Sequence, residues 1–292
     1  VTAGETTLVE WKNTPITAQI QIIKKSADYN PTNGLPEGTL LSGAVFEIYD
    51  KANNVVDTIK SDSRGLAVSK PLPLGRYTIK EVKAPDNYGV NDTVLNAYLE
   101  HKGQILTFEV TNKSLTTGVS IPKTGPKEVM GGQPVRYMFS GIANTSNVML
   151  TSFYWRDTLP AEVILDKVVT GTYNRPGNYK IVYQVNGGEY QTLADNLSTQ
   201  KNYTLAASPV ALGLASNERV TEIMFVFGQA PAGFAQVEKP YIYCTARPGL
   251  PAGSFVNKAD VGGVYNGEWI QAVSRWVTTI YGKKTTLPRT GY

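Results

Sequence analysis

The segment "VEWKNTPITAQIQIIK", residues Val9 to Lys24, sets the fold class of this chain. In its second half, apolar and polar side chains alternate from Ala18 to Ile22, the pattern of a strand with one face turned inward. Elsewhere Val, Ile and Thr dominate the apolar-rich segments, and Gly and Pro interrupt them throughout. Short strands joined by turns have this composition, so we predict an all-β protein.

The alternating segment belongs to a repeat that occurs twice along the chain. It aligns without gaps on "FEVTNKSLTTGVSIPK", residues Phe108 to Lys123. In each copy an Asn, Asn13 or Asn112, ends one strand, and a Lys lies on the strand that follows. Such a repeat marks a junction between modules, which predicts a fragment of a tandem array. The predicted parts are the closing strand of a preceding module at 1–14, a first domain at 15–114, a second domain at 115–284 and a tail at 285–292.

The composition excludes several classes of function. The net charge of +4 is spread along the chain without a run of basic residues, so we expect no nucleic-acid partner. No apolar stretch is long enough to cross a membrane, so no membrane span is expected in this chain. His101 is the single histidine and Cys244 the single cysteine, which leaves almost no material for a catalytic triad, a metal site or a disulfide. We expect no metal and no cofactor, with His101 in a surface turn and Cys244 as a buried strand thiol.

Polar residues end three of the predicted inward-facing rows in the first domain. Side chains on a strand alternate between its faces, so residues of equal parity share one side of the sheet. The rows are Ala18, Ile20, Ile22 and Lys24; Tyr77, Ile79 and Glu81; and Phe108, Val110 and Asn112. An amine, a carboxyl and a carboxamide are therefore expected in one core, where an unpaired charge would be costly.

Burial gives these three groups a reaction to perform. Desolvation lowers a Lys pKa and raises a Glu pKa, so it favours a neutral amine and a protonated acid. The Lys24 amine can then attack the Asn112 carboxamide, with Glu81 moving protons and ammonia leaving. The alternative is a hydrogen-bonded cluster of the same residues without a covalent bond. Lys25 is the competing amine, and parity places it on the opposite face, with Gln21.

Three segments of the first domain resemble a known family. They are "LSGAVFEIYD" at 41–50, "SDSRGLAVSKPLPLGRYTIKEVKAPDNY" at 61–88 and "FEVTNK" at 108–113. Together they resemble a CnaB-type pilin module, also called SpaA-like or prealbumin-like, and the pattern Tyr77-x-x-x-Glu81-x-x-Ala84-Pro85-x-x-Tyr88 is similar to the pilin E-box. The resemblance implies a β-sandwich of a Gram-positive surface protein, in which a first-strand Lys and a last-strand Asn form an isopeptide bond assisted by the E-box Glu. The matching residues here are Lys24, Asn112 and Glu81.

The second domain repeats the trio with Asp in place of Glu. Parity gives the inward-facing rows Val119, Ile121 and Lys123; Phe153, Trp155 and Asp157; and Phe255, Asn257, Ala259 and Val261. "KTGPKEVMGGQPVRYMFSGIAN", "FYWRDTLP" and "FVNKADVGG" resemble the CnaA-type, Ig-like modules of surface proteins. That resemblance implies a Lys123 to Asn257 bond assisted by Asp157, and two tandem β-sandwich domains in all. The alternatives are that Asp157 pairs with Arg156 or caps the "DTLP" turn.

Three tryptophans of the second domain allow two interpretations. Trp155, Trp269 and Trp276 could form a platform on which a sugar ring stacks. Tryptophans on strands belong more often to a core, where their large apolar surface is buried, and we predict this role for the three.

The chain ends with "LPRTGY", which contains an LPxTG sorting motif formed by Leu287, Pro288, Arg289, Thr290 and Gly291. Sortase cuts this motif between Thr and Gly. The resemblance therefore implies sortase and peptidoglycan as partners, and an extracellular, cell-wall-anchored location. The similar "IPKTG" at Ile121–Gly125 is predicted to lie within a strand, where such an enzyme could not reach it.

The trios and the resemblances together predict a structural stalk segment of a cell-wall-anchored surface or pilus protein, stabilised by autocatalytic Lys-Asn isopeptide bonds. An adhesin module that binds a host glycan or an extracellular-matrix protein is the alternative from a different class, and a hydrolase is the third. The single histidine and the lack of clustered carboxylates outside the trios count against a hydrolase. The bond-forming residues act once, on their own chain, so we expect no enzyme.

Overall fold

The structure is a computed structural model that describes residues 15–281. Its regular elements are all strands, which confirms the predicted all-β class. The predicted closing strand at 1–14 and the tail at 285–292, with its sorting motif, lie outside the described residues. Between residues 15 and 281 no helix is long and apolar enough to cross a membrane. The chain divides into two compact units between Leu115 and Thr116.

The first unit contains two sheets. Its strands are β1 (Thr17–Ser26), β2 (Val45–Tyr49), β3 (Val55–Lys60), β4 (Leu66–Val68), β5 (Leu72–Pro73), β6 (Gly75–Lys83), β7 (Leu95–Leu99) and β8 (Ile105–Asn112). In one sheet β1 is central, with β4 and β5 on one side and β8 on the other. The other sheet has the order β3-β2-β6-β7.

Strand β1 follows the sequence pattern closely, because every second residue from Ala18 to Ser26 is buried. Its inward row packs with residues of the facing sheet in one apolar core, with Ile20 and Ile22 on one side and Phe46 and Ile79 on the other. The two sheets therefore form a sandwich. Strand β8 runs parallel to β1, which places the two strand ends that carry Lys24 and Asn112 beside each other.

The second unit is larger and contains a five-stranded sheet, a seven-stranded sheet and a short two-stranded ladder. Its strands are β9 (Val119–Ser120), β10 (Lys123–Thr124), β11 (Glu128–Val129), β12 (Pro134–Phe139), β13 (Ala143–Asn144), β14 (Leu150–Thr158), β15 (Val163–Val169), β16 (Asn178–Val185), β17 (Tyr190–Ser198), β18 (Thr204–Ala206), β19 (Val220–Ala230), β20 (Tyr241–Ala246), β21 (Gly253–Tyr265) and β22 (Glu268–Ile280). The sheet orders are β10-β12-β20-β15-β18 and β11-β22-β21-β14-β19-β16-β17, and β13 pairs with β9.

An aromatic core joins the two large sheets of this unit. Trp155 on β14 stacks on Phe225 of β19, with ring centroids 3.9 Å apart. The same tryptophan contacts Phe139 of the five-stranded sheet at a centroid distance of 4.8 Å. Such close ring pairs bury much apolar area, and they hold the two sheets face to face.

Two expectations from the sequence differ from the structure. The segment "GVSIPK" does not form one strand, because β9 ends at Ser120 and β10 begins at Lys123. The intervening Pro122 has no N–H with which to continue a ladder. Trp155 is buried as predicted, but the prediction for Trp269 is wrong, since it is 58% exposed. It lies on the outward-facing side of β22, opposite in parity to the half-buried Trp276.

Candidate functional site

In the first unit, the fold brings the three predicted residues of the core trio to one place. Lys24 lies on β1, Asn112 ends the neighbouring strand β8, and Glu81 lies on β6 of the facing sheet. All three side chains are buried, and Lys24 is 0% exposed. Gly65, with a φ of +70°, lets the turn before β4 approach the Lys24 backbone, whose N–H donates to the Gly65 carbonyl at 2.7 Å.

The contacts within this trio connect the amine, the carboxamide and the carboxyl in a row. The Lys24 amine donates to Oδ1 of Asn112 and to the Val110 carbonyl at 3.0 Å. Asn112 Nδ2 donates to Glu81 Oε1 at 3.1 Å and to Oε2 at 3.0 Å. The Lys24 amine lies 3.8 Å from Glu81 Oε1. One carboxyl oxygen therefore faces both the amine and the amide nitrogen.

Burial changes the protonation of this trio in the direction that a condensation needs. It lowers the pKa of the Lys24 amine from 10.5 to about 8, although the neighbouring Glu81 acts in the opposite sense. Burial raises the pKa of the Glu81 carboxyl above its ordinary 4.5, against the effect of Lys24. A neutral amine beside a neutral acid is therefore more accessible here than in water.

Lys25, the competing amine, lies on the other face of β1. It forms an ion pair with Glu109 at 2.6 Å, and both side chains are partly exposed to solvent. The parity rule thus identified which of the two adjacent lysines enters the core.

The second unit brings its own predicted trio together in the core. Asp157 on β14 is fully buried, and strand β21 with Asn257 lies beside it in the same sheet. Lys123 on β10 reaches across from the other sheet and donates to Asp157 Oδ1. Its amine also lies 4.2 Å from the ring centre of Tyr137 and 4.4 Å from that of Phe139. Two aromatic rings thus lie close to the amine that contacts the carboxyl.

Two buried acceptors of this trio lack a hydrogen bond. Asp157 Oδ2 and Asn257 Oδ1 have no hydrogen-bond donor among the described residues, and Asn257 Nδ2 makes a long contact of 3.4 Å to the Thr158 carbonyl. Burial raises the pKa of Asp157, against the effects of Lys123 and Asn257, and lowers the pKa of Lys123, against that of Asp157. A proton on the carboxyl converts one of its oxygens from an acceptor into a donor, which is the partner that a buried amide oxygen needs.

The structure separates Asp157 from the alternative partner considered for it. Arg156 points to the opposite face of β14, where its Nε donates to the two Asp260 oxygens at 2.8 and 3.0 Å. The same guanidinium lies 3.4 Å from Glu222. Asp157 therefore belongs to the core trio, and Arg156 belongs to an ion-pair network on the outer face.

The single cysteine and the single histidine lie where the sequence predicted them. Cys244 is a buried thiol on β20, as predicted, and burial raises its pKa well above the ordinary value. His101 is exposed in the turn between β7 and β8, also as predicted. No group of three or more His, Cys, Asp or Glu side chains is placed to hold a metal ion within residues 15–281.

Two features of the sites were missed by sequence reasoning. The Asn91 backbone N–H donates to Glu81 Oε2 at 2.6 Å from a loop, and no periodic pattern marks a loop residue. Strand β22 follows the strand of Asn257, so this asparagine does not lie on the last described strand of its unit. The alternation of "EWIQAVSRWVTTI" at 268–280 would have signalled that extra strand.

Comparison with known protein families finds a match for the first unit. Residues 19–114 match the model of the SpaA prealbumin-like fold domain. The trypsin-resistant surface T6 protein of Streptococcus pyogenes serotype M6 is 42% identical over 53 residues, which are 18% of this chain and 10% of that protein. The chain thus matches only a tenth of the length of this relative.

Two solved pilin structures are similar to this chain at low sequence identity. The major pilin BcpA of Bacillus cereus is 14% identical with a TM-score of 0.33, over 90% of this chain and 69% of the pilin. The full-length major pilin SpaD of Corynebacterium diphtheriae is 16% identical with a TM-score of 0.35, over 91% of this chain and 68% of the pilin.

Proposed function

We propose that this chain is a structural stalk segment of a cell-wall-anchored bacterial surface or pilus protein, in which each domain is closed by a self-formed Lys-Asn isopeptide bond. The observation that carries the proposal is the contact of the Lys24 amine with the Asn112 carboxamide beside Glu81, all three buried. A permanent ion pair at such a depth stabilises little, whereas an amide removes the buried charge altogether.

In the first domain the reaction follows from the order of the contacts. The neutral Lys24 amine attacks Cγ of Asn112, whose Oδ1 it already contacts. The protonated Glu81 gives its proton to Nδ2, which lies 3.0 to 3.1 Å from its oxygens, and takes one from the attacking nitrogen. The C–N bond to Nδ2 breaks, ammonia leaves, and Glu81 regains its initial protonation state. The products are one Lys-Asn amide and one ammonia.

In the second domain Asp157 takes the place of the glutamate. Its carboxyl touches the Lys123 amine, and its second oxygen lies free to carry the proton that polarises the Asn257 carbonyl. The bond joins the two large sheets, because β10 and β21 belong to different ones. This proposal includes the CnaA-type assignment of the domain.

The domain match and the sorting motif support the proposed location and partners. The SpaA domain and the local similarity to a streptococcal surface protein support an extracellular position. The motif Leu287–Gly291 supports sortase and peptidoglycan as partners. A covalent bond that carries tension in place of the hydrogen-bond ladders suits a stalk under load. It also provides a cross-link without a disulfide in a chain that has one cysteine. Each of these residues reacts once, within its own chain. The protein therefore has no turnover and is not an enzyme.

Peptide mapping tests the two bonds at the residue level. After digestion with pepsin, we expect one branched peptide that joins the β1 segment to the β8 segment through Lys24 and Asn112, lighter by one ammonia than its two parts. A second branched peptide joins Lys123 to Asn257. The matched control is the Glu81→Ala protein, in which the first branched peptide is replaced by its linear parts. Recovery of all four linear peptides from the unaltered protein would refute the proposal.

Adhesion is the second candidate function, and one observation favours it. Trp269 exposes its ring on the outer face of the seven-stranded sheet, edge-on to Tyr154 with ring centroids 6.2 Å apart. An exposed Trp beside a Tyr can stack on a sugar ring. Binding of the protein to a glycan array, abolished by Trp269→Ala and retained by Val273→Ala on the same strand, would establish this function; no binding by the unaltered protein would exclude it for the glycans on the array.

A further inference from the structure

The carboxyl of Glu81 has a hydrogen-bond partner outside the trio. The loop between β6 and β7 passes over it, and the Asn91 backbone N–H donates to Oε2 at 2.6 Å. Oε1 is the oxygen that lies 3.8 Å from the Lys24 amine, while Asn112 Nδ2 donates to both oxygens, at 3.1 Å to Oε1 and 3.0 Å to Oε2. The two oxygens of one carboxyl therefore have different surroundings.

The side chain of Asn91 fixes this loop to the strand that carries the reacting asparagine. Its Nδ2 donates to the Thr111 carbonyl at 2.8 Å, one residue before Asn112. Its Oδ1 accepts the Thr93 N–H at 2.9 Å, which closes a tight turn. The loop and the end of β8 are thus held together by the same residue that contacts Glu81.

We propose that Asn91 is a positioning residue for the condensation of Lys24 with Asn112, because its N–H occupies Oε2 and leaves the carboxyl proton on Oε1. An oxygen that accepts a short hydrogen bond from a backbone N–H is the poorer place for a proton. The proton then sits on the oxygen that faces both the attacking and the leaving nitrogen. This inference rests on the proposed function and adds a residue to it.

The surroundings of the loop fit this role. Glu81, Asn91, Glu109 and Thr111 are among the residues that line a cleft of about 120 Å³ beside the carboxyl. A space of this size admits a few water molecules, since one water occupies roughly 30 Å³ in the liquid. Water that entered it could compete for the carboxyl oxygens, and the Asn91 N–H keeps one of them occupied. The cleft also gives the released ammonia a path away from the site.

The test compares proline and alanine variants of the full chain. Asn91→Pro removes the N–H, Val90→Pro places a proline one residue earlier at a position 38% exposed, and Asn91→Ala removes only the side-chain contacts. Each protein is made by cell-free synthesis and quenched at intervals, and the branched Lys24-Asn112 peptide is quantified by mass spectrometry. Folding is followed separately by circular dichroism and tryptophan fluorescence.

We expect Asn91→Pro to slow bond formation about tenfold or more in folded protein, the scale of one lost hydrogen bond to a catalytic group. Asn91→Ala slows it by a smaller factor, and Val90→Pro reacts at the rate of the unaltered protein. If Asn91→Pro does not fold, Asn91→Ala decides. Asn91 variants that fold and react at the unaltered rate overturn the inference, as does equal slowing by Val90→Pro. If the unaltered protein forms no branched peptide, the proposed function itself fails.

The pH profile separates positioning from a merely structural effect. The Asn91 N–H lowers the pKa of Glu81, as Lys24 on β1 and Asn112 on β8 also do, and Glu109 on β8 lines the same cleft. Without the N–H the carboxyl holds its proton to higher pH. The alkaline limb of the rate profile of Asn91→Pro therefore shifts to higher pH. A structural disturbance lowers the rate at every pH without moving that limb, and a profile of unchanged shape contradicts the inference.

Discussion

Stretching this protein from its two ends should extend the second domain more than the first. In the first unit Asn112 ends β8, the last described strand before Thr116, so a Lys24-Asn112 bond carries tension past almost the whole unit. In the second unit Asn257 lies on β21, and the hairpin strand β22 follows it. A Lys123-Asn257 bond therefore leaves the segment from Lys258 to Tyr281 outside the covalent path.

The geometry of β21 and β22 gives the size of the extension. The two strands are antiparallel, with Gly253 opposite Ile280 and Asn257 opposite Trp276. Tension on Ile280, which also pairs with Val129 of β11, opens the ladder from that end one pair at a time, which needs less force than shearing all pairs together. The released segment of about 24 residues spans about 80 Å when fully extended, at roughly 3.4 Å per residue. Allowing for its folded span, the gain in length is about 70 Å.

Single-molecule force spectroscopy on the chain between two marker domains measures this gain. We expect one step of about 70 Å per molecule. Asp157→Ala, which blocks the second bond, should give a step of about 500 Å, and Glu81→Ala should add one of about 300 Å. A step of several hundred ångströms in the unaltered protein would refute the bonds, and Asp157→Ala with the unaltered trace would refute the role of Asp157.

Three further outcomes follow from the first trio. Glu81→Ala should lower the free energy of unfolding of the first domain by about 4–5 kcal/mol, the chain-entropy effect of opening a loop of this length; guanidinium denaturation measures it, and a loss below about 1 kcal/mol would contradict the cross-link. In Asn112→Ala the Lys24 amine persists with a pKa of about 8 against 10.5 when unfolded. The unfolded state then binds more protons between these values, so the free energy of unfolding should rise with pH from 8 to 10.5, an effect absent from the unaltered protein, where an amide replaces the amine. Lys25→Ala should form the first bond as the unaltered protein does, because the Lys25 side chain pairs with Glu109 on the other face of β1. Lys24→Ala should not form this bond. Mass spectrometry of the two proteins measures this, and loss of the bond in Lys25→Ala but not in Lys24→Ala would contradict the assignment.

Strand periodicity predicted the trios because their residues sit on regular strands. Lys24, Glu81 and Asn112 each occupy the parity of an apolar row, and the fold buries all three. The same rule separated Lys24 from Lys25. Alternation carries this information because a shift by one residue turns a side chain to the other face.

Features that depend on loops or on strand breaks were less accessible. Pro122 interrupts the strand expected before Lys123, yet Lys123 is still buried because β10 resumes on the edge of a different sheet. The contact of Asn91 with Glu81 arises from the path of a loop between strands, which alternation does not encode. Trp269 is exposed because its parity on β22 opposes that of Trp276, a distinction that a rule based on residue type cannot make.

The intact mass of the purified protein tests most directly whether these buried side chains condense. Bond formation expels one ammonia per domain, so the unaltered chain should weigh less than its sequence by two ammonia molecules. Glu81→Ala and Asp157→Ala should each regain one, and the double variant should regain both. A chain that weighs the same as its sequence, with both units folded, would show that the two clusters remain hydrogen-bonded and that no covalent closure occurs.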